Sequence, residues 1–213
     1  MMDLYAALGA ASCAACGENP AAGIGPAVRT WLCVECAGEL SSGVQPIRSL
    51  PPSIAAGWTL GPYAGPAGAM LRRAKYAGDV RLVHTLAAWG ADQLGPIDVD
   101  LVVPVPTTWW RKLWRGMNVA EVLARPVAEA AGAPLVEALR RGRGERRAQL
   151  TRRARHEGHA VPVQAAVSLS GRVLLVDDVI TTGGTAGACA DELLGAGARE
   201  VWLYTVAAAS GGS

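Results

Sequence analysis

The chain has 213 residues, a formal net charge of +2 and 51% hydrophobic residues. That is enough for one medium domain and a small appendage, and no apolar window of about 18 residues free of charge and of Gly/Pro breaks reads as a membrane span. The opening MMDLYAALGAASCAACG carries an acid and no Lys or Arg ahead of a short apolar run, so it does not read as an export signal, and a cytoplasmic protein without membrane insertion is expected. Positive charge is concentrated rather than general: Arg140, Arg141, Arg143, Arg146, Arg147, Arg152, Arg153 and Arg155 crowd one segment with only Glu145 among them, which leaves twelve basic and seventeen acidic residues elsewhere.

In chain order, the first signal is a pair of CxxC knuckles, Cys13/Cys16 and Cys33/Cys36, separated by 16 residues. This is the spacing of a four-thiolate zinc site, and with four protein ligands no coordination position is left for water or substrate, so the expected Zn2+ is structural. Disulfides are disfavoured in a reducing compartment, and a redox pair needs only one CxxC. The stretch SSGVQPIRSLPPS (41–53) has the Ser, Gly and Pro punctuation of a connector. The expected division is therefore a four-cysteine zinc-binding domain over 1–48 and a second domain over 49–213.

Beyond the connector, short apolar runs alternate with alanine-rich stretches, which predicts an α/β fold with a mostly parallel sheet flanked by helices. Strands are expected over 100–105, 134–139, 172–178 and 200–207, and helices over 67–77, 80–94, 118–131 and 185–195. Cys189 falls inside the last of these helices and reads as a small buried residue. The stretch GAGARE (195–200) follows a helix and precedes a strand, the reverse of the order a dinucleotide-binding loop needs, so its glycines read as helix C-caps.

The most informative stretch is VLLVDDVITTGGTA (173–186). A continuous apolar run suits a strand buried on both faces, and its carboxyl end is where open α/β sheets bind ligands. Asp177 and Asp178 stand at that end, suited to accept hydrogen bonds from the vicinal hydroxyls of a ribose and to steady a hydrated Mg2+. Thr181, Thr182, Gly183, Gly184 and Thr185 then lead into a helix, where backbone N–H groups, hydroxyls and the helix N-terminus favour a phosphate. Together these residues describe a ribose 5-phosphate.

This segment resembles the thirteen-residue fingerprint for phosphoribosyl pyrophosphate (PRPP) of type I phosphoribosyltransferases. By that resemblance Asp177 and Asp178 are the catalytic, ribose-binding acids and Thr181 to Thr185 hold the 5-phosphate. The stretch VVPVPTTWWRKLWRGMN (102–118) then supplies the pyrophosphate side, with Val105, Pro106, Arg111 and Arg115. With the CxxC knuckles, RRAKYAGD (72–79), the arginine segment and VDDVITTGGT, the whole chain resembles the ComF family of competence and gluconate-utilisation-associated phosphoribosyltransferase-like proteins. It departs from the family's usual Arg-Gly-Phe-Asn-Gln, having Arg115, Gly116, Met117, Asn118 and Val119, and Val119 has no amide to offer.

The resemblance implies PRPP with Mg2+ as ligand and transfer of its phosphoribosyl group to an acceptor, linked to DNA uptake, with competence-machinery proteins as partners. Arg146, Arg147, Arg152 and Arg153 would then belong to a lid over PRPP, since guanidinium forks suit phosphate. They equally suit a nucleic-acid backbone, and Trp109, Trp110 and Trp114 beside cations offer either core packing or surfaces on which bases stack. The alternative function is thus a non-catalytic module that holds single-stranded DNA.

Overall fold

A computed structural model describes residues 12–18, 32–107, 118–141 and 163–209. The elements in order are α1 (Val34–Leu40), β1 (Gln45–Pro46), β2 (Ala56–Pro62), α2 (Pro66–Ala77), α3 (Val80–Leu94), β3 (Leu101–Pro104), α4 (Val119–Ala131), β4 (Leu139–Arg141), β5 (Val163–Ala165), β6 (Arg172–Ile180), α5 (Gly184–Gly195) and β7 (Glu200–Ala208). Five strands form one sheet in the order β1-β2-β7-β6-β3, parallel except for β1 at the edge, while β4 and β5 make a separate antiparallel pair. Among the described residues no helix is long and apolar enough to cross a membrane.

The apolar run of β6 is explained by its central place. Leu174 and Val176 enter a core with Leu71, Leu86 and Leu123 from α2, α3 and α4, whereas Val173 and Leu175 enter a second core with Cys189, Ala190 and Leu193 from α5. A strand covered on both faces cannot alternate polar and apolar residues, and β6 stays apolar and buried from Val173 to Val176 before turning polar at Asp177 and Asp178.

The four expected helices form within a residue of their expected ends. Pro66 stands in the first turn of α2, where its missing N–H costs nothing, and Asn118 occupies the N-terminal boundary of α4 in an extended conformation without a side-chain capping bond. Of the expected strands, 134–139 is reduced to a parallel bridge between Leu135 and Val102. Val102 N–H donates to Pro134 O and Val136 N–H to Val102 O, and the chain then diverges into β4. The stretch 195–200 closes α5, with Ala198 N–H donating back to Leu193 O.

Among the elements that were not expected are β2 and β1. β2 pairs parallel with β7 although its sequence, AGWTLGP, is punctuated by Gly and Pro. β1 lies inside the stretch read as a connector and pairs with β2. From there the chain runs beside α5: Ser53 Oγ donates to Gly187 O at 3.4 Å, and Pro51 packs against the backbone of Gly183 and Gly187. Cys13, Cys33, Cys36 and Leu40 share one hydrophobic cluster with Leu71 and Leu86, so the cysteine-bearing segment lies against the first core.

Candidate functional site

β6 carries Asp177 and Asp178 to the carboxyl edge of the parallel strands, and the two-residue period of a strand sends their side chains to different neighbours. Asp178 meets α2: Lys75 Nζ lies 2.6 Å from Asp178 Oδ2, with the two side chains only 16% and 22% exposed. Asp177 lies on the side of α5 and β4, close enough for its charge to raise the thiol pKa of Cys189 and for Arg141 to act on its own carboxyl. Asp178 N–H donates to Asp177 Oδ1 at 2.8 Å. The Asp177 carboxyl is pushed up to about 7, first by burial and then by the charge of Asp178; the Asp178 N–H, Lys75 and Arg141 oppose that shift without cancelling it.

Both acids open on a cavity of about 250 Å³, and Thr185, at the first turn of α5, lines it with them. The turn before α5 depends on Gly183, which has φ +78° and ψ −3° and whose missing side chain leaves room for Pro51. Thr181 and Thr182 are exposed and Gly184 starts the helix; of the five residues 181–185, Thr185 is the one on the cavity wall. Opposite, Val105 and Pro106 follow β3 and line the same cavity. Asn118 Nδ2 donates to Val105 O at 3.4 Å and Arg141 Nε to Pro106 O at 2.9 Å, so β4 and the start of α4 brace this wall. Val119 is buried and also lines the cavity.

Lys75, Tyr63, Tyr76 and Arg141 line the cavity without having been expected to. The stretch RRAKYAGD contains Lys75 and Tyr76, and a lysine in the last turn of an amphipathic helix, followed by an aromatic, was the available signal. Arg111, Arg115, Arg146, Arg147, Arg152, Arg153 and the three tryptophans 109, 110 and 114 lie outside the described residues.

The four cysteines form a second, separate centre. Their sulfurs all lie within 4.8 Å of one another, and Cys16 Sγ and Cys33 Sγ are 3.8 Å apart. Tetrahedral Zn2+ with Zn–S bonds of about 2.3 Å requires sulfurs about 3.8 Å apart, so the donor set fits a structural zinc. Cys33 N–H donates to Cys13 Sγ at 3.3 Å. Burial alone would raise the Cys13 thiol pKa, but the N–H groups of Cys16, Cys33 and Ala15 outweigh burial and bring it down to about 6, which favours the thiolate a metal needs. Cys189 is fully buried in the second core with its thiol pushed up to about 12 by burial, as an inert packing residue should be.

Mg2+ fares differently. Among the described residues the only group of three or more potential metal-ligating side chains is the four cysteines, and Asp178 already has Lys75 as its counter-charge. The acid pair does not present a free carboxylate cluster for a divalent ion.

No family model matches the chain. It is 29% identical over 136 residues to the competence protein ComFC of Streptococcus pneumoniae, covering 63% of this chain and 60% of that protein. It is 37% identical over 120 residues to an adenine phosphoribosyltransferase of Nocardioides sp., covering 55% of this chain and 59% of that protein. The chain thus spans about three fifths of the length of these curated relatives. Among solved structures, the allosteric regulatory enzyme of purine biosynthesis is 26% identical over 58% of this chain and 25% of its own, with a TM-score of 0.42.

Proposed function

We propose that this chain, ComF-like and type I phosphoribosyltransferase-like, binds PRPP in the cavity at the end of β6 and transfers its phosphoribosyl group to an acceptor. The observation that carries the reading is that Asp177, Asp178 and Thr185 share one cavity of about 250 Å³ at the carboxyl edge of β6. The vicinal ribose hydroxyls would hydrogen-bond to the two acids. The 5-phosphate would sit on the N–H groups and hydroxyls of 181–185, at the N-terminus of α5. The pyrophosphate would lie along Val105 and Pro106, within reach of Lys75 and Arg141.

In the transfer itself, a nucleophile of the acceptor bonds to the anomeric carbon as the bond from that carbon to pyrophosphate breaks, and the electron pair leaves with the pyrophosphate. Positive charge that develops on the sugar is stabilised by nearby carboxylate, and negative charge on the departing pyrophosphate by the cations. The first 48 residues serve in this reading as a zinc-held appendage and residues 49–213 as the phosphoribosyltransferase-like domain, in a cytoplasmic protein.

Calorimetric titration with PRPP tests the proposal. Wild type is expected to bind in the micromolar to millimolar range usual for substrates. The double substitution Asp177→Asn, Asp178→Asn should lose roughly 2–5 kcal/mol of affinity, which takes a micromolar ligand out of range. A folded wild-type protein that does not bind PRPP overturns the reading.

The second reading, a module that holds single-stranded DNA, is supported by the eight arginines of 140–155 and by the competence protein among the relatives. Its mark is affinity that falls steeply with salt.

A further inference from the structure

Lys75 occupies the flank of the acid pair at which a divalent ion would otherwise compensate the carboxylates. We propose that Lys75 is the resident cation of the phosphoribosyl pocket, so that the pocket takes its ligand without a divalent metal. This rests on the reading of the cavity given above.

The placement of Lys75 is built into the fold. α2 is fixed against the end of β2: Arg72 Nη1 donates to Tyr63 O at 2.6 Å, the guanidinium lies 4.9 Å from the centre of the Tyr63 ring, and a side chain at Gly68 would collide with the Tyr63 backbone. Met70, Leu71 and Ala74 bury the inner face of the helix. That fixed helix delivers Lys75 to Asp178 with the lysine side chain 16% exposed.

The lysine is not drawn off by its neighbours in sequence. Asp79, one turn further on, is held by Arg81, whose Nε and Nη2 donate to its two oxygens at 2.7 and 3.1 Å. The ammonium has three N–H donors, so after one bond to Asp178 two remain for oxygens of a pyrophosphate.

A metal would have to displace it. Mg2+ binds oxygen at about 2.1 Å, so an ion on Asp178 Oδ2 would stand no more than about 5 Å from an ammonium that is itself 2.6 Å from the same atom. At that separation the two positive charges repel, which disfavours an ion on this oxygen, and a single acid pair supplies no third carboxylate to offset both. Among the described residues lining the cavity, the ionisable side chains besides the two tyrosines are Asp177, Asp178, Lys75 and Arg141, two acids against two bases. The negative charge of PRPP therefore meets cations that belong to the chain.

The experiment is titration of the full chain with PRPP in EDTA and again in excess Mg2+, for wild type, Lys75→Met and Lys75→Arg, with thermal melts to establish folding. Wild type is expected to bind in EDTA within about fivefold of its affinity in Mg2+, Lys75→Met to lose at least about tenfold in EDTA and recover part of that in Mg2+, and Lys75→Arg to stay close to wild type in EDTA. A purely packing role for Lys75 would not create this dependence on metal. Wild-type binding that weakens more than fivefold in EDTA overturns the inference, as does a folded Lys75→Met that matches wild type there. No binding by wild type in either buffer overturns the PRPP reading itself.

Discussion

Replacing Gly183 by Ala tests how the turn before α5 is held. Two costs arise at that position. With φ +78°, an L side chain is forced into the left-handed region, which costs about 1–2 kcal/mol. The new methyl would also lie 2.9 Å from Pro51 Cγ and 3.1 Å from Pro51 Cδ. Pro51 is not free to retreat, because Ile54 N–H donates to its carbonyl and Ser53 is bonded to Gly187. Overpacking of this kind costs typically about 1–3 kcal/mol. A combined loss of about 3 kcal/mol lowers Tm by about 6–12 °C in a chain of this size.

The two costs separate by comparison. Gly132→Ala, at φ +63° with no atom within 4 Å, should lose only the dihedral cost, about 1–2 kcal/mol. Gly184→Ala, whose nearest neighbour would be Thr182 Oγ1 at 3.8 Å, should be neutral or slightly stabilising. Pro51→Ala removes the two colliding atoms, so in urea unfolding the double variant Pro51→Ala, Gly183→Ala should recover about 1 kcal/mol relative to the sum of the single losses. A Gly183→Ala variant no less stable than Gly132→Ala, or strict additivity with Pro51→Ala, refutes the close packing of Pro51 on this turn.

Freshly purified, unchelated protein should hold one zinc per chain by metal analysis, and Cys13→Ser or Cys33→Ser should release it and expose the first ~40 residues to protease. Asp177 has a folded pKa of about 7 against an ordinary value near 4, so the native state holds the extra proton. Its contribution to stability is complete below about pH 4 and is lost as pH rises through 7, and Asp177→Asn should flatten that decline in unfolding measured between pH 4 and 8. Neutralising Arg146, Arg147, Arg152 and Arg153 together should lower the slope of log affinity against log salt for single-stranded DNA by up to about 0.7 per lost phosphate contact; an unchanged slope removes the DNA role of the segment.

Sequence alone placed the elements whose signals are local. The helices over 66–77 and 119–131 are bounded by a proline or asparagine at one end and a glycine at the other, and β6 and β7 are apolar runs long enough to cross a core. β2 was missed because Gly57, Gly61 and Pro62 interrupt what would otherwise be an apolar run. Gly57 also packs closely under Leu50, whose Cδ2 would lie 2.9 Å from a Cβ there. The strand expected over 134–139 failed similarly, since its apolar residues pair with β3 through one residue before the chain is drawn away to β4. In the site, the acid pair and the turn after it were legible because they are contiguous. Lys75 was not, because its meaning comes from Asp178, a residue on another element that only the fold brings to it.

The division between the two acids follows from the strand that carries them. Successive residues of β6 face opposite layers, so a pair that looks redundant in sequence is placed in two environments. Asp177 is directed to the second core, with Cys189 and Leu193 of α5, and burial there favours its protonated form. Asp178 is directed to α2, where Lys75 Nζ lies 2.6 Å from its Oδ2. A sugar with two adjacent hydroxyls would thus meet one group able to donate a hydrogen bond near neutral pH and one that accepts, and two carboxylates equally exposed on one loop could not offer that asymmetry. The same strand order sets Thr185 beside them, since β6 leads directly into α5. The chemistry proposed for this chain therefore depends less on the presence of two acids than on their lying at the end of a central strand between unlike layers.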